Sequence, residues 1–166
     1  MSSEAKYIDH YLQDGFVKVC DVDPTSIYEW RYTNIDHEVM YSDHTSWIYF
    51  ITLNKEIKKI GESGNPLGIA KYSDDQPASN SKSRLGRYRG GDGTDSSIRY
   101  ELREDIKKGN EVSIWAKKCQ IYSSEHTLAG KPIQVNTTIH KALELHYLDY
   151  FKSQVGHKPV LNKSRK

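Results

Sequence analysis

Four basic side chains crowd one tyrosine in the stretch SKSRLGRYRG: Lys82, Arg84, Arg87 and Arg89 around Tyr88. A guanidinium pairs with phosphate oxygens in a fixed two-pronged geometry, and a tyrosine hydroxyl adds a neutral donor. This segment therefore has the chemistry to hold a phosphodiester chain. Short basic helices are also ordinary solvated surface, and the stretch fits that reading too. An acidic candidate lies far downstream. Glu144, in ALELHYL, has His140, Tyr147 and Leu148 at i−4, i+3 and i+4. On a helix these are its neighbours, so it stands at the edge of an apolar stripe. A carboxylate there can hold a hard cation such as Mg²⁺, which binds through oxygen and keeps most of its water. A plain exposed helical glutamate gives the same pattern, and Asp149 is a weaker acidic candidate. His140 and His146 are poorly spaced for one helical face, and His37 and His44 have no Cys or His cluster near them. A zinc site is not expected. The chain contains no GxSxG, P-loop or GxGxxG motif. GRYRGGDG neither ends in GK[ST] nor follows a strand, so it makes a weak nucleotide cradle.

The elements that must position these groups follow from hydrophobic period and punctuation. In WIYFITLNKEIKKIG, an apolar aromatic strand turns at Asn54-Lys55-Glu56 into a second strand ending on Gly61. That is a hairpin, with Lys59 where an inward-facing residue is expected. The Gly-, Pro- and Ser-rich residues 64–82 read as a long loop, of the kind that carries function. SRLGRYRGG is a brief basic helical segment. SIRYELREDIKK is a helix capped by Ser96 or Ser97 and stopped at Gly109. In EVSIWAKKC, Val112, Ile114 and Ala116 face one way and Trp115 the other. IYSSEHTLAGKPIQVN reads as a further irregular loop. TTIHKALELHYLDYFKSQV is the strongest helix, started at Thr137 or Thr138 and ended at Gly156. Upstream, residues 2–13 read as a short helix capped by Ser2 or Ser3, Phe16 to Val22 as a strand, and Asp23-Pro24-Thr25 as the start of a helical turn running to Trp30. Residues 31–45 read as irregular. The order predicts an α+β fold: a small mixed or antiparallel three-stranded sheet flanked by helices. Residues 1–45 are expected to form an N-terminal arm or subdomain laid on the core, and residues 46–166 the core itself.

Bulk properties narrow the class. The chain has 166 residues, enough for one domain, with 36% hydrophobic residues and a net charge of +2. That charge does not mark a nucleic-acid binder and leaves any electrostatic footprint to local clustering. Twelve Tyr against three Phe favour partly wet grooves as well as core. Cys20 and Cys119 are far apart and in no CxxC pattern, so two reduced, buried thiols are expected. The N-terminus lacks the features of a signal peptide and no apolar run is long enough to span a membrane, which predicts a soluble, cytoplasmic protein.

Taken together, these segments resemble the GIY-YIG nuclease superfamily. That family has a first strand ending in a tyrosine motif and a second ending in Tyr-Ile-Gly about ten residues later. An arginine-bearing helix, a glutamate-bearing helix and a late asparagine follow. Here the first motif reads Trp47-Ile48-Tyr49 and the second Lys59-Ile60-Gly61. The arginine is Arg84, with Tyr88 at i+4 and Arg87 and Arg89 as competitors; the glutamate is Glu144 and the asparagine Asn162 in PVLN. The first motif departs by Trp47 in place of glycine and the second by Lys59 in place of tyrosine. The resemblance covers residues 46–162, and the lysine variant and the run SIRYELREDIKKGNEVSIWAKKC resemble the restriction-enzyme and phage endonuclease II branches.

The resemblance implies metal-dependent hydrolysis of double-stranded DNA. Tyr49 would be the general base, with Lys59 the cation that favours its phenolate. Arg84 would hold a phosphate oxygen and Tyr88 orient water or phosphate. Glu144 would hold one Mg²⁺ (or Mn²⁺) per site, and Asn162 would be a supporting donor. Lys82, Arg87 and Arg89 would contact DNA. It also implies a homodimer or homotetramer, since cutting both strands of a symmetric site takes two active sites. A site-specific restriction-type enzyme is the leading reading. A phage-type endonuclease or nickase degrading host DNA, and a non-catalytic nucleic-acid-binding module of the same fold, stand beside it. An interaction protein of unrelated α+β fold, with Tyr-rich surfaces, is the remaining reading.

Overall fold

The computed structural model describes residues 3–24, 29–69, 76–79, 82–90 and 94–162. The central hairpin forms as the alternation requires. Strands β3 (Trp47–Leu53) and β4 (Glu56–Ser63) pair antiparallel. They are joined at Asn54 and Lys55, both with positive φ, 47° and 68°. Two left-handed residues make the tight turn whose twist matches paired strands.

The fold is α+β, and its sheet is antiparallel throughout and five-stranded, in the order β2-β1-β5-β3-β4. The expected three strands are its β5-β3-β4 half, with β5 at Val112–Lys118. The other two come from the N-terminal segment expected as an arm. β1 (Val17–Val22) pairs with β5, and β2 (Tyr32–Thr33) pairs with β1. Residues 3–14 form two 3-10 turns, Ser3–Lys6 and Ile8–Asp14, rather than one α-helix. The break is at Tyr7, which is extended and bridges to Glu56, while Ile8 N–H donates to Lys55 C=O at 2.9 Å. The expected turn from Asp23 to Trp30 falls largely on residues 25–28, outside the described residues. In the segment expected to be irregular, α1 (His37–Met40) is capped by Asp36, whose carboxylate accepts from Val39 N–H.

Alternation along β3 splits the core in two. Trp47, Tyr49 and Ile51 face α2 (Arg84–Gly90) and α3 (Thr94–Lys107), packing with Leu85, Tyr88, Ile98, Leu102 and Ile106. Ile48 and Phe50 face the other way, onto Leu148 and Phe151 of α4 (His140–Val155) and Ile8, Tyr11 and Phe16. β5 obeys the same rule: Val112, Ile114 and Ala116 join the first cluster and Trp115 packs against the second. Cys20 and Cys119 are free and buried, and burial pushes both thiols up.

Residues 121–138 are not an irregular loop. They form a second hairpin, β6 (Ile121–Leu128) and β7 (Lys131–Thr138), in full register and turning at Ala129 and Gly130 with φ 48° and 77°. Thr137 and Thr138 belong to β7, so α4 begins only at His140 and has no side-chain cap. α3 begins at Thr94, ahead of Ser96 and Ser97, and the chain reverses at Gly109 with φ 79°. Among the described residues no helix is long and apolar enough to cross a membrane.

Both edges of the five-stranded sheet are closed by a side-chain amide. Gln76, in the 64–82 loop, accepts from Tyr32 N–H at 2.6 Å and donates to Tyr32 C=O at 2.8 Å on β2. Asn162 accepts from Ile60 N–H at 2.8 Å and donates to Ile60 C=O at 2.7 Å on β4. Each amide stands in for one residue of a missing strand and satisfies backbone groups that an edge leaves open.

Candidate active site

The face of the sheet shared by β3 and α2 holds a tyrosine pair joined to an arginine. Tyr49 and Tyr88 hydroxyls lie 2.8 Å apart. Arg84 donates to the Tyr49 oxygen from Nε at 2.9 Å and from Nη2 at 2.7 Å, and reaches the Tyr88 oxygen at 3.4 Å. Its guanidinium carbon also sits 5.3 and 5.1 Å from the two ring centres, close enough for cation–π attraction. The i+4 spacing of Arg84 and Tyr88 on α2 makes this arrangement possible. Tyr88 is held from behind by Trp30, whose ring stacks on it at 5.2 Å and 17°. Both tyrosines are fully buried, while Arg84 is only partly so.

Gly61 lies inside β4, which runs on to Ser63, and has a steric reason to be glycine. It pairs directly with Tyr49, and a Cβ on it would fall inside the Tyr49 ring. The ring lies across the glycine to reach Arg84, so the tyrosine and the glycine are one packing unit.

Lys59 shares the Tyr49 face by plain alternation from Gly61, and a β-bulge adjoins it. The register runs Tyr49↔Gly61, Phe50↔Ile60, Ile51↔Lys59 and then Thr52↔Ile57, leaving Lys58 as the extra residue. Without that insertion Ile57 would fall on the Tyr49 face instead of packing in the cluster under α4. Lys58 instead pairs with Glu56 at 3.2 Å.

The other predicted residues fall into distinct places. Lys82 and Arg87 are exposed beside α2. Arg89, expected to touch DNA, is 6% exposed. It donates to Pro77 C=O at 2.8 Å and meets Glu29 at 3.1 Å, so it braces α2 from within. Asn162 has its amide engaged on β4, which makes it a positioning group for the strand carrying Lys59 and Gly61. Glu144 is half-buried on α4, one turn after His140 and one turn before Leu148. It comes from the helix on the opposite face of the sheet to α2. A single half-buried carboxylate suits Mg²⁺ or Mn²⁺, because Mg²⁺ takes one or two protein carboxylates and completes its shell with water and substrate phosphate. Among the described residues no three His, Cys, Asp or Glu converge as a metal cage.

One polar cluster escaped the sequence reading. His140 Nδ1 lies 3.0 Å from Ser46 Oγ, and its Nε2 lies 3.3 Å from Glu62 Oε2. The order serine, histidine, carboxylate is that of a hydrolase triad. Ser46, however, is fully buried at the entry to β3 and His140 is 5% exposed, so no substrate reaches the hydroxyl. The cluster clamps the uncapped start of α4 to β3 and β4, one turn from Glu144. The only sequence signal was His140 at i−4 of Glu144, since Ser46 and Glu62 are remote in the chain.

No family model and no curated protein matches the sequence. Among solved structures the chain is similar to bacteriophage T4 EndoII, determined as a glutamate-to-alanine mutant. The identity is 16%, the TM-score 0.63, and the match covers 95% of this chain and 98% of that one. A second similar structure is the restriction endonuclease HPY188I in complex with product DNA, at 19% identity, TM-score 0.47, 96% of this chain and 87% of that one. The first likeness establishes that this chain has the fold of a phage endonuclease, from end to end.

Proposed function

We propose that the chain is a cytoplasmic, site-specific, divalent-metal-dependent double-strand DNA endonuclease of the GIY-YIG type, restriction-like and working as a homodimer or homotetramer. The observation that carries this reading is the Tyr49–Arg84–Tyr88 cluster, built on a fold shared with a phage endonuclease.

The cluster supports a division of labour. Arg84 is the residue suited to a non-bridging phosphate oxygen, where negative charge grows in the transition state. Its guanidinium covers the buried Tyr49 hydroxyl. A phosphate that draws Arg84 toward itself uncovers that oxygen for water. Tyr49 then takes the proton of the attacking water. A cation close to the hydroxyl favours its phenolate, and Arg84 holds that place until the phosphate draws it away. Lys59, on the same face, is the second candidate for that influence. Tyr88 orients the Tyr49 oxygen through their hydrogen bond. Glu144 would hold the metal. What a bound Mg²⁺ or Mn²⁺ supplies is charge neutralisation at the phosphate and at the leaving 3′ oxygen. Exposed Lys82 and Arg87 would contact the phosphate backbone and make retention of DNA weaken with salt.

Incubation of supercoiled plasmid with the chain and Mg²⁺ tests the reading. Discrete linear fragments are expected from the wild type. Tyr49→Phe and Glu144→Ala should each lower the rate by roughly 100-fold or more while still retaining duplex. An intact plasmid, or both variants cutting at the wild-type rate, would overturn it.

A further inference from the structure

Glu144 belongs to no cluster of three metal-ligating side chains among the described residues. A carboxylate outside such a cage has no fellow ligands to set its direction, and Mg²⁺ demands near-ideal octahedral geometry. The placement of α4 must therefore supply what a cage otherwise supplies. The start of α4 is poorly made for that task. The chain enters it straight from β7, which is exposed at every position, and Ile139 provides no side-chain cap. His140 is the first buried residue after Cys119. Further along, Leu148 and Phe151 hold the helix in the second core cluster. Glu144 lies on the same helix face, one turn after His140 and one turn before Leu148. Its direction depends on an anchor at each end, and the anchor at the start is an imidazole.

That imidazole is engaged on both sides. The Glu62 carboxylate accepts from Nε2–H at 3.3 Å, and the Ser46 hydroxyl meets Nδ1 at 3.0 Å, where it can donate or accept. The contacts therefore need no change of charge. Gly64 leaves the ring its room, since a Cβ there would come within 3.2 Å of Nε2. Ser46 is itself fixed, because its C=O accepts from Cys119 N–H at 2.9 Å. One serine thus ties down both ends of the excursion through β6 and β7. Ser46 also leads into β3, three residues before Tyr49, and Glu62 follows the glycine over which the Tyr49 ring lies.

We propose that His140 is a positioning residue for the metal, fixing Glu144 against the two strands that carry Tyr49 and Gly61. It touches neither the substrate nor the metal. It joins α4 to β3 and β4 at one point. The carboxylate on one face of the sheet and the tyrosine on the other thereby keep a constant spacing. Groups that orient a ligand from behind change metal affinity by about 10–100-fold when removed.

This rests on the reading of Glu144 as the metal-holding residue, and its test needs no cleavage. Mn²⁺ binding to the full chain is measured without DNA, from the electron paramagnetic resonance signal of the free ion. His140→Ala and Glu62→Ala should each raise the dissociation constant about 10-fold or more. Glu62→Gln should bind like the wild type, because its amide oxygen still accepts from Nε2–H. Phe151→Leu, two turns beyond Glu144, should lower the melting temperature through lost core packing and leave Mn²⁺ affinity unchanged. Should His140→Ala fail to fold, the two Glu62 variants carry the test, on a side chain that is 22% exposed. Wild-type affinity in either alanine variant would overturn the proposal. So would Glu62→Gln binding as weakly as Glu62→Ala, or an equal loss in Phe151→Leu, which would reduce His140 to a structural role. Glu144→Ala separates the proposal from the reading beneath it. If that variant binds Mn²⁺ as the wild type does, the reading of Glu144 falls and the proposal with it. If it loses the ion while His140→Ala and Glu62→Ala keep it, the proposal alone falls.

Discussion

Gly61 decides more at the level of single residues than its lack of a side chain implies. The Tyr49 ring lies over it on its way to Arg84. Gly61→Ala must move the ring or the strand. Overpacking of this kind costs about 1–3 kcal/mol. A lowered melting temperature is expected, together with a fall in cleavage larger than the loss of folded protein explains; a melt and a plasmid assay on the same sample check both. The Arg84–Tyr88 partnership was legible from i+4 spacing alone. The burial of Arg89 was not, because its partners Glu29 and Pro77 come from other parts of the chain. Lys59 is favoured over Lys58 by alternation counted back from Gly61, whereas alternation counted forward from Ile57 favours Lys58; only the bulge in the structure reconciles the two.

Elements are held in place here by side chains that act on backbone. Asn162 returns the C-terminal segment to β4, with Leu161 N–H also donating to Lys58 C=O at 2.9 Å. Asn162→Ala leaves the Ile60 N–H and C=O without their amide, at a cost of about 1–3 kcal/mol. Amide hydrogen exchange at Ile60 is the direct check, with faster exchange expected there and unchanged exchange on β5. The asparagine was legible through a family resemblance, but its task was not, since tail-to-edge contacts leave no local pattern. The β6–β7 ribbon was missed for a related reason. Its strands mix Ser, Glu, Thr and Gln with few large apolar residues, so alternation is faint, and Ala129-Gly130 is a weak turn signal. β3, β5 and α3 were clear because each buries a face within its own chain.

For the whole molecule, the N-terminal strands make the sheet one body, and Asp21 is their lock on the core. Its carboxylate contacts Lys18 at 2.8 Å, Asn34 at 2.8 Å and Ser113 of β5 at 2.6 Å. Burial alone raises its pKa, but the hydrogen bonds from Lys18, Ser113 and Asn34 outweigh it and hold the group below its ordinary value. A depressed carboxylate stabilises the fold above its unfolded pKa of about 3.9, and that contribution is lost as pH falls through the folded value. Urea unfolding between neutral and strongly acidic pH should show the wild type losing more stability than Asp21→Asn; equal losses would remove Asp21 from this role.

Trp30, flat against Tyr88 in the buried heart of the N-terminal half, has an optical consequence. The indole stacks on a ring whose oxygen touches both Tyr49 and Arg84. Any ligand that draws Arg84 out of the cluster therefore perturbs a fluorophore already in place. The chain carries its own lamp at the site, and occupancy can be followed as a change in ultraviolet emission with no dye attached.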